Sequence, residues 1–158
     1  MAEIKMKQPV EKKVRTVDSK STGAVRCVVL VPNEPSITTD EPVERGGTGD
    51  AASPLMHFTA SLATCQTVQI IKVAAAMRFE HGAIDVKAST TTDHVAAVEG
   101  EQKVMRLCAA EMVIDIETNE PEKKIERLKL LSEDRCPVGQ LFNDAGYPPT
   151  FIWNILPL

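Results

Sequence analysis

The sequence predicts an α+β fold, on three observations. β-Branched runs open the chain, one long apolar stretch follows, and strand-like and helix-like segments then alternate to the end. "KVRTVDS" and "AVRCVVLV" read as strands, with "KSTG" between them as a hairpin turn. After the turn "PNEPS", the segment "SITTDEPVE" reads as a third strand. "RGGTGDAA", residues 45–52, has three glycines in four positions and reads as a flexible loop. It carries neither GxxxxGK[ST] nor any lysine, which argues against a phosphate loop.

Ser53-Pro54 pairs an N-cap serine with a proline suited to the first helical position. From there the pattern predicts a helix to about His81, capped by Gly82. Leu55, Phe58, Leu62 and Cys65 trace one face, but Ile70, Ile71, Val73, Ala74 and Met77 fill most of the rest. A helix apolar nearly all round is buried on most sides, and in so short a chain that points to cover from a second subunit. "AIDVKASTTT" and "KVMRLCAAEMVIDIET" follow as strands joined by a long connection, "TDHVAAVEGEQ". In the second strand Met112, Ile114 and Ile116 alternate with Val113, Asp115 and Glu117. "NEPEKKIERLKLLSEDR" is an amphipathic helix with Ile125, Leu128 and Leu131 toward the core. Pro137 cannot continue that helix, so "CPVGQLFN" starts another, and "PPTFIWNILPL" ends the chain as a strand.

The 158 residues carry a net charge of -4 and are 43% hydrophobic, enough for one domain over residues 1–158 with its own core. Residues 1–12 read as a flexible N-terminus. Mild acidity argues against nucleic acid or an anionic membrane as partner, and "KKVR" reads as a solvated strand edge. No apolar run reaches the ~18 residues of a membrane helix. The N-terminus lacks the apolar segment of a signal peptide, so the expectation is a cytoplasmic chain. The four cysteines, Cys27, Cys65, Cys108 and Cys136, form no CxxC, which argues against zinc.

In a reducing compartment a disulfide that does form is more often catalytic or redox-sensing than structural. Cys27 and Cys108 lie on strands among aliphatic neighbours and read as buried small hydrophobes. Cys65 sits about three turns into an apolar helix, beyond the reach of its dipole. A reactive Cys65 would need a cation brought from elsewhere, since burial raises a thiol pKa. Cys136 stands at a fresh helix N-terminus, where free N–H groups favour a thiolate and a good leaving group. Position alone leaves it open between a reactive thiol and a structural one. Two thiols without metal partners suggest a cycle in which one is oxidised to a sulfenic acid and the other condenses with it.

"GTGDAASPLMHFTASLATCQ", joined to the downstream "RCPVGQ", resembles the OsmC/Ohr family of osmotically inducible and organic hydroperoxide resistance proteins, in its OsmC-like branch. The resemblance runs from about Ala24 to the C-terminus. It implies an intertwined homodimer with antiparallel sheets packed around long central helices. It further implies a thiol peroxidase acting on organic hydroperoxides, with no metal or organic cofactor and with a thiol or dithiol as reductant. Carried over by position, Cys65 matches the peroxidatic cysteine and Cys136 the resolving one. Arg45, twenty residues before Cys65, matches the arginine that holds the thiolate; without the family it is a solvated loop residue. The family's glutamate, ten residues before the peroxidatic cysteine, is Leu55 here, and the nearest acids are Glu44 and Asp50. His57, about 80° round the helix from Cys65, either lines the same pocket or is a buried or interface histidine. The alternative expectation is a catalytically weak relative that senses oxidants or binds a small apolar ligand.

Overall fold

The computed structural model describes residues 12–100 and 102–158. The expected flexible N-terminus lies, apart from Lys12, outside the described residues. The chain forms two compact units, one up to Pro54 and one from Leu55 to Leu158.

In the first unit β1 (Asp18–Gly23), β2 (Arg26–Leu30) and β3 (Ile37–Thr39) make an antiparallel sheet in that order. The first turn is not at "KSTG". Lys20 and Ser21 pair with Val28 and Cys27, and the chain reverses at Ala24 and Val25. A tight hairpin needs positive φ, which Gly23 (137°) and Ala24 (44°) supply. The segment from Lys13 to Val17 stays outside the sheet.

The glycine-rich loop is built around a buried aspartate. Asp40 accepts hydrogen bonds from the amides of Glu41 (2.9 Å) and Thr48 (3.0 Å) and from the Thr48 hydroxyl (2.5 Å). The Thr48 hydroxyl, helped by backbone amides and opposed by burial, holds its carboxyl down to about 2. Gly46 takes φ 86° after a single 3-10 turn, Val43–Arg45. A Cβ on Gly47 would fall 1.7 Å from the Glu41 carbonyl oxygen. The glycines thus serve one tied conformation rather than the flexible loop expected of them.

α1 spans Pro54–Met77, all but its first residue in the second unit, and β4 (Ile84–Ala96), β5 (Lys103–Glu117), α2 (Glu122–Asp134), α3 (Pro137–Asp144) and β6 (Thr150–Leu156) follow there. α1 stops four residues short of His81. Arg78 turns left-handed (φ 51°), the Phe79 amide reaches back to the Ala74 carbonyl and the Arg78 amide to that of Ala75. This is a Schellman cap with arginine where glycine is usual, sealed by the buried Phe79.

β4 continues through His94 to Ala96, so the connection to β5 is shorter than expected. β5 is the central strand, antiparallel to β4 and parallel to β6. The sheet is therefore mixed rather than antiparallel throughout, because the chain returns to β5 through two helices as a crossover, not a hairpin. Met112, Ile114 and Ile116 pair with Ala88, Val86 and Ile84 on one side and with Phe151, Trp153 and Ile155 on the other. All three are fully buried, in one core with Leu62, Ile70 and Val73 of α1 and Ile125 and Leu128 of α2. Each such side chain contributes about 1.5–3 kcal/mol. The Thr59 and Thr90 hydroxyls, 2.7 Å apart, tie α1 to β4.

The opposite face of α1 is not covered within the single chain: Val68 is 43% and Ile71 47% exposed. Among the described residues no helix is long and apolar enough to cross a membrane.

Candidate active site

Two of the four thiols meet. Cys65, half-buried on α1, and Cys136, fully buried at the α2–α3 junction, lie side by side as free thiols. Three local causes place Cys136. α2 ends at Asp134, Pro137 forces a new helix, and the Cys136 sulfur becomes the N-cap acceptor of α3, taking the Gly139 amide at 3.4 Å. The Cys136 amide donates to the Glu133 carbonyl at 3.3 Å, and the Gln140 side chain donates to the same oxygen at 3.2 Å. Glu133 is in turn held by the Trp153 indole at 2.9 Å, and burial raises its carboxyl above the ordinary range.

The helix N-terminus does not make Cys136 acidic, against the expectation from position. Burial pushes the thiol from 9.0 up to about 11; the amides of Gly139 and Val138 pull it down, and the Cys65 side chain pushes it further up. Desolvation disfavours the charged sulfur more than two amides favour it. Cys136 is therefore a protonated, poorly leaving thiol, with the half-buried Cys65 beside it.

The other two cysteines are not core residues. Cys27 is half-buried. Cys108 is exposed at a bulge, where Thr91 pairs with Ala109 and Thr92 with Leu107, and its thiol donates to the Thr91 carbonyl at 3.5 Å. A bulged residue leaves the inward-outward alternation, which strand periodicity alone does not reveal.

Arg45 closes the 3-10 turn of the first unit, its guanidinium 3.6 Å from the Glu41 carboxylate. Glu41, rather than Glu44 or Asp50, is thus its acid, an i−4 neighbour that the turn brings round. Asp50 instead pairs with Arg26 at 3.3 Å. Leu55 lies at the exposed start of α1 and His57, two residues on, is half-buried.

The sequence reading also missed Gln66 and Ser132. Both are fully buried; Gln66 donates to the Ser132 hydroxyl at 3.4 Å, joining α1 beside Cys65 to α2 one turn before Cys136. Gln66 Oε1 has no hydrogen-bond partner among the described residues. The signal was available: a polar amide on the same face as Leu62, Ile70 and Val73. Among the described residues, a surface cleft beside Lys124 and Arg127 reaches α1 at Ala76 and Met77. No cluster of three or more His, Cys, Asp or Glu suited to a metal occurs among the described residues.

The same fold occurs in several solved structures. The OsmC-like protein of Mycoplasma pneumoniae superposes with a TM-score of 0.74 at 14% identity, over 92% of this chain and 99% of its own. An organic hydroperoxide resistance protein OsmC from Legionella pneumophila gives 0.64 at 18% identity, over 92% and 99%. The organic hydroperoxide resistance protein of Elizabethkingia anophelis gives 0.64 at 18% identity, over 94% and 100%. No curated protein matches the sequence. The OsmC-like protein family matches residues 47–150, a span that holds both meeting thiols, and the chain belongs to that family.

Proposed function

We propose that the protein is a cysteine-dependent peroxidase that reduces organic hydroperoxides. The Cys65 thiolate attacks the distal peroxide oxygen and becomes a sulfenic acid, releasing the alcohol. Cys136 condenses with it, expelling water, and a thiol or dithiol reductant then opens the Cys65–Cys136 disulfide. The observation that carries this reading is the contact between two thiols far apart in sequence, inside a family some of whose structural neighbours are named for hydroperoxide resistance. The resemblance gives Arg45 the part of cation for the Cys65 thiolate. It also gives the protein a second copy, and the exposed Val68–Ile71 face of α1 supports a homodimer. An alkyl pocket along α1 would be completed by that copy. A reducing compartment such as the cytoplasm suits a cycle that returns to free thiols.

Cumene hydroperoxide supplied with dithiothreitol should be consumed by the wild type and not by Cys65→Ser. Full activity in that variant would end the proposal. Peptide mapping of peroxide-treated protein should show a Cys65–Cys136 bridge, and a bridge through Cys27 or Cys108 would contradict it.

A second reading, a slow relative that senses oxidants or holds a small apolar ligand, is favoured by Leu55 in place of the family carboxylate and by the high pKa of the Cys136 thiol. Rapid Cys65 oxidation with slow turnover, or a copurified ligand, would bring it forward.

A further inference from the structure

Along α1 the buried side chains Leu62, Gln66, Ile70 and Val73 follow helical spacing, and along α2 so do Ile125, Leu128 and Ser132. Each stripe is apolar but for one residue, and the two exceptions meet: Gln66 Nε2 donates to Ser132 Oγ at 3.4 Å. The Ser132 hydroxyl donates its own proton to the Lys129 carbonyl at 3.1 Å. It can therefore receive Gln66 only as an acceptor, which decides which end of the amide faces it. Gln66 Oε1 is left buried with no hydrogen-bond partner among the described residues, and a buried carbonyl without a donor destabilises the fold. Methionine would fill much the same space without that penalty, so stability does not account for the amide.

We propose that Gln66 and Ser132 are a positioning pair, whose hydrogen bond fixes the register of α1 against α2 that sets Cys65 beside Cys136. The inference rests on the disulfide cycle proposed above and concerns the step that closes the bridge. Gln66 follows Cys65 directly and Ser132 stands four residues before Cys136. The hydrogen bond and the thiol pair therefore join the same two stretches of chain, about one helical turn apart. Aliphatic stripes pack in several registers at little cost, whereas one buried polar pair accepts a single register, as a lone buried asparagine does in a coiled coil. A disulfide is as demanding, since its Cα atoms must lie about 4.4–6.8 Å apart, a window narrower than one ~5.4 Å helical turn. In closure the Cys136 sulfur bonds to the Cys65 sulfur of the sulfenic acid and the S–O bond breaks. Its electron pair leaves on oxygen, which takes the Cys136 proton and departs as water. Gln66 and Ser132 touch none of these atoms and act only through the distance between the sulfurs. One neutral hydrogen bond shifts the population of such a register by about fivefold, which sets the size of the effect.

The test follows the Cys65–Cys136 bridge, identified by peptide mapping, in Gln66→Met, Ser132→Ala and the double variant. Each full-length chain is equilibrated with mixtures of oxidised and reduced dithiothreitol, a readout that needs no peroxide. Both single variants should lower the equilibrium constant for bridge formation about fivefold, raising the reduction potential by about 20 mV. The double variant should be no worse than either single one, because both remove the same bond. Under reducing conditions Gln66→Met loses the orphan carbonyl and should melt no lower than wild type. Ser132→Ala strands the whole amide and should melt lower, and adding Gln66→Met should restore it. After treatment with cumene hydroperoxide, dimedone should capture more Cys65 sulfenic acid in Gln66→Met than in wild type, because closure is slower. An unchanged potential in Gln66→Met, additive effects in the double variant, or Gln66→Met melting well below wild type would overturn the inference. The amide would then be core filler or a general support of the fold, and the peroxidase cycle would stand. Failure of peroxide to form the bridge in wild type would instead remove the cycle, while the dithiothreitol equilibria still decide what the pair positions.

Discussion

Disulfide closure should accelerate steeply with pH. The nucleophile in that step is the Cys136 thiolate, and burial is the largest influence on its pKa. With the thiol at about 11, the thiolate fraction at pH 7 is about one in ten thousand, against about one in a hundred for a thiol at 9.0. A more basic thiolate is intrinsically more reactive, and a Brønsted slope of ~0.4–0.5 recovers about tenfold of that hundredfold loss. Closure at neutral pH is therefore about tenfold slower than an unburied thiol at the same distance would give. The logarithm of its rate should rise by one for each pH unit from 7 to beyond 9. Trp153, the chain's one tryptophan, is bonded to Glu133 three residues before Cys136 and should report the step by stopped-flow fluorescence. Quenching with N-ethylmaleimide and counting alkylated thiols gives an independent measure. A rate that levels off below pH 9 would refute the reasoning, since it would mean an accessible or acidic Cys136.

The same thiol makes stability pH-dependent. Its folded pKa is raised, so its contribution is fully present below about 9 and is lost as pH rises through about 11. Under reducing conditions wild type should therefore lose stability relative to Cys136→Ala across that window, by an amount on the order of 2–3 kcal/mol at most, read from urea melts. Asp40 behaves oppositely: its folded carboxyl is lowered to about 2, so its stabilisation is present above 3.8 and fades as pH falls through 2. Asp40→Asn should flatten the acid limb of a thermal-stability profile. Leu55 is 38% exposed, so Leu55→Glu can be made without burying a charge, and if the family carboxylate assists Arg45 it should raise kcat/KM for cumene hydroperoxide by about tenfold, from a hydrogen bond to a charged group. Ile71→Glu puts a charge on the uncovered face of α1 and, on the proposed homodimer, should shift sedimentation from dimer to monomer with the chain still folded.

What the sequence made legible divides along a physical line. Order and type of element follow from periodicity, so α1, β5 with Met112, Ile114 and Ile116, the amphipathic α2 and the proline-started α3 were all foreseeable. Ends of elements depend on single backbone angles, and there the reading slipped. Arg78 takes the left-handed cap where glycine was expected at residue 82, and Gly23 with Ala24 turns the hairpin that "KSTG" was expected to turn. The candidate site shows the same division more sharply. Two motifs pointed to Cys65 and Cys136, which the fold brings side by side, yet the helix N-terminus led toward a thiolate where burial favours the protonated thiol. A helix N-terminus is visible in sequence because Pro137 announces it, whereas burial is a property of everything packed around the sulfur. Glu41 and Gln66 escaped for a related reason: each gains its meaning from a partner, Arg45 or Ser132, brought to it only by the fold. Sequence motifs identify which atoms react, and the surrounding packing decides how readily a proton leaves them. In this chain the second effect is the larger for Cys136, where desolvation outweighs two amide hydrogen bonds and sets the direction of every pH-dependent outcome above.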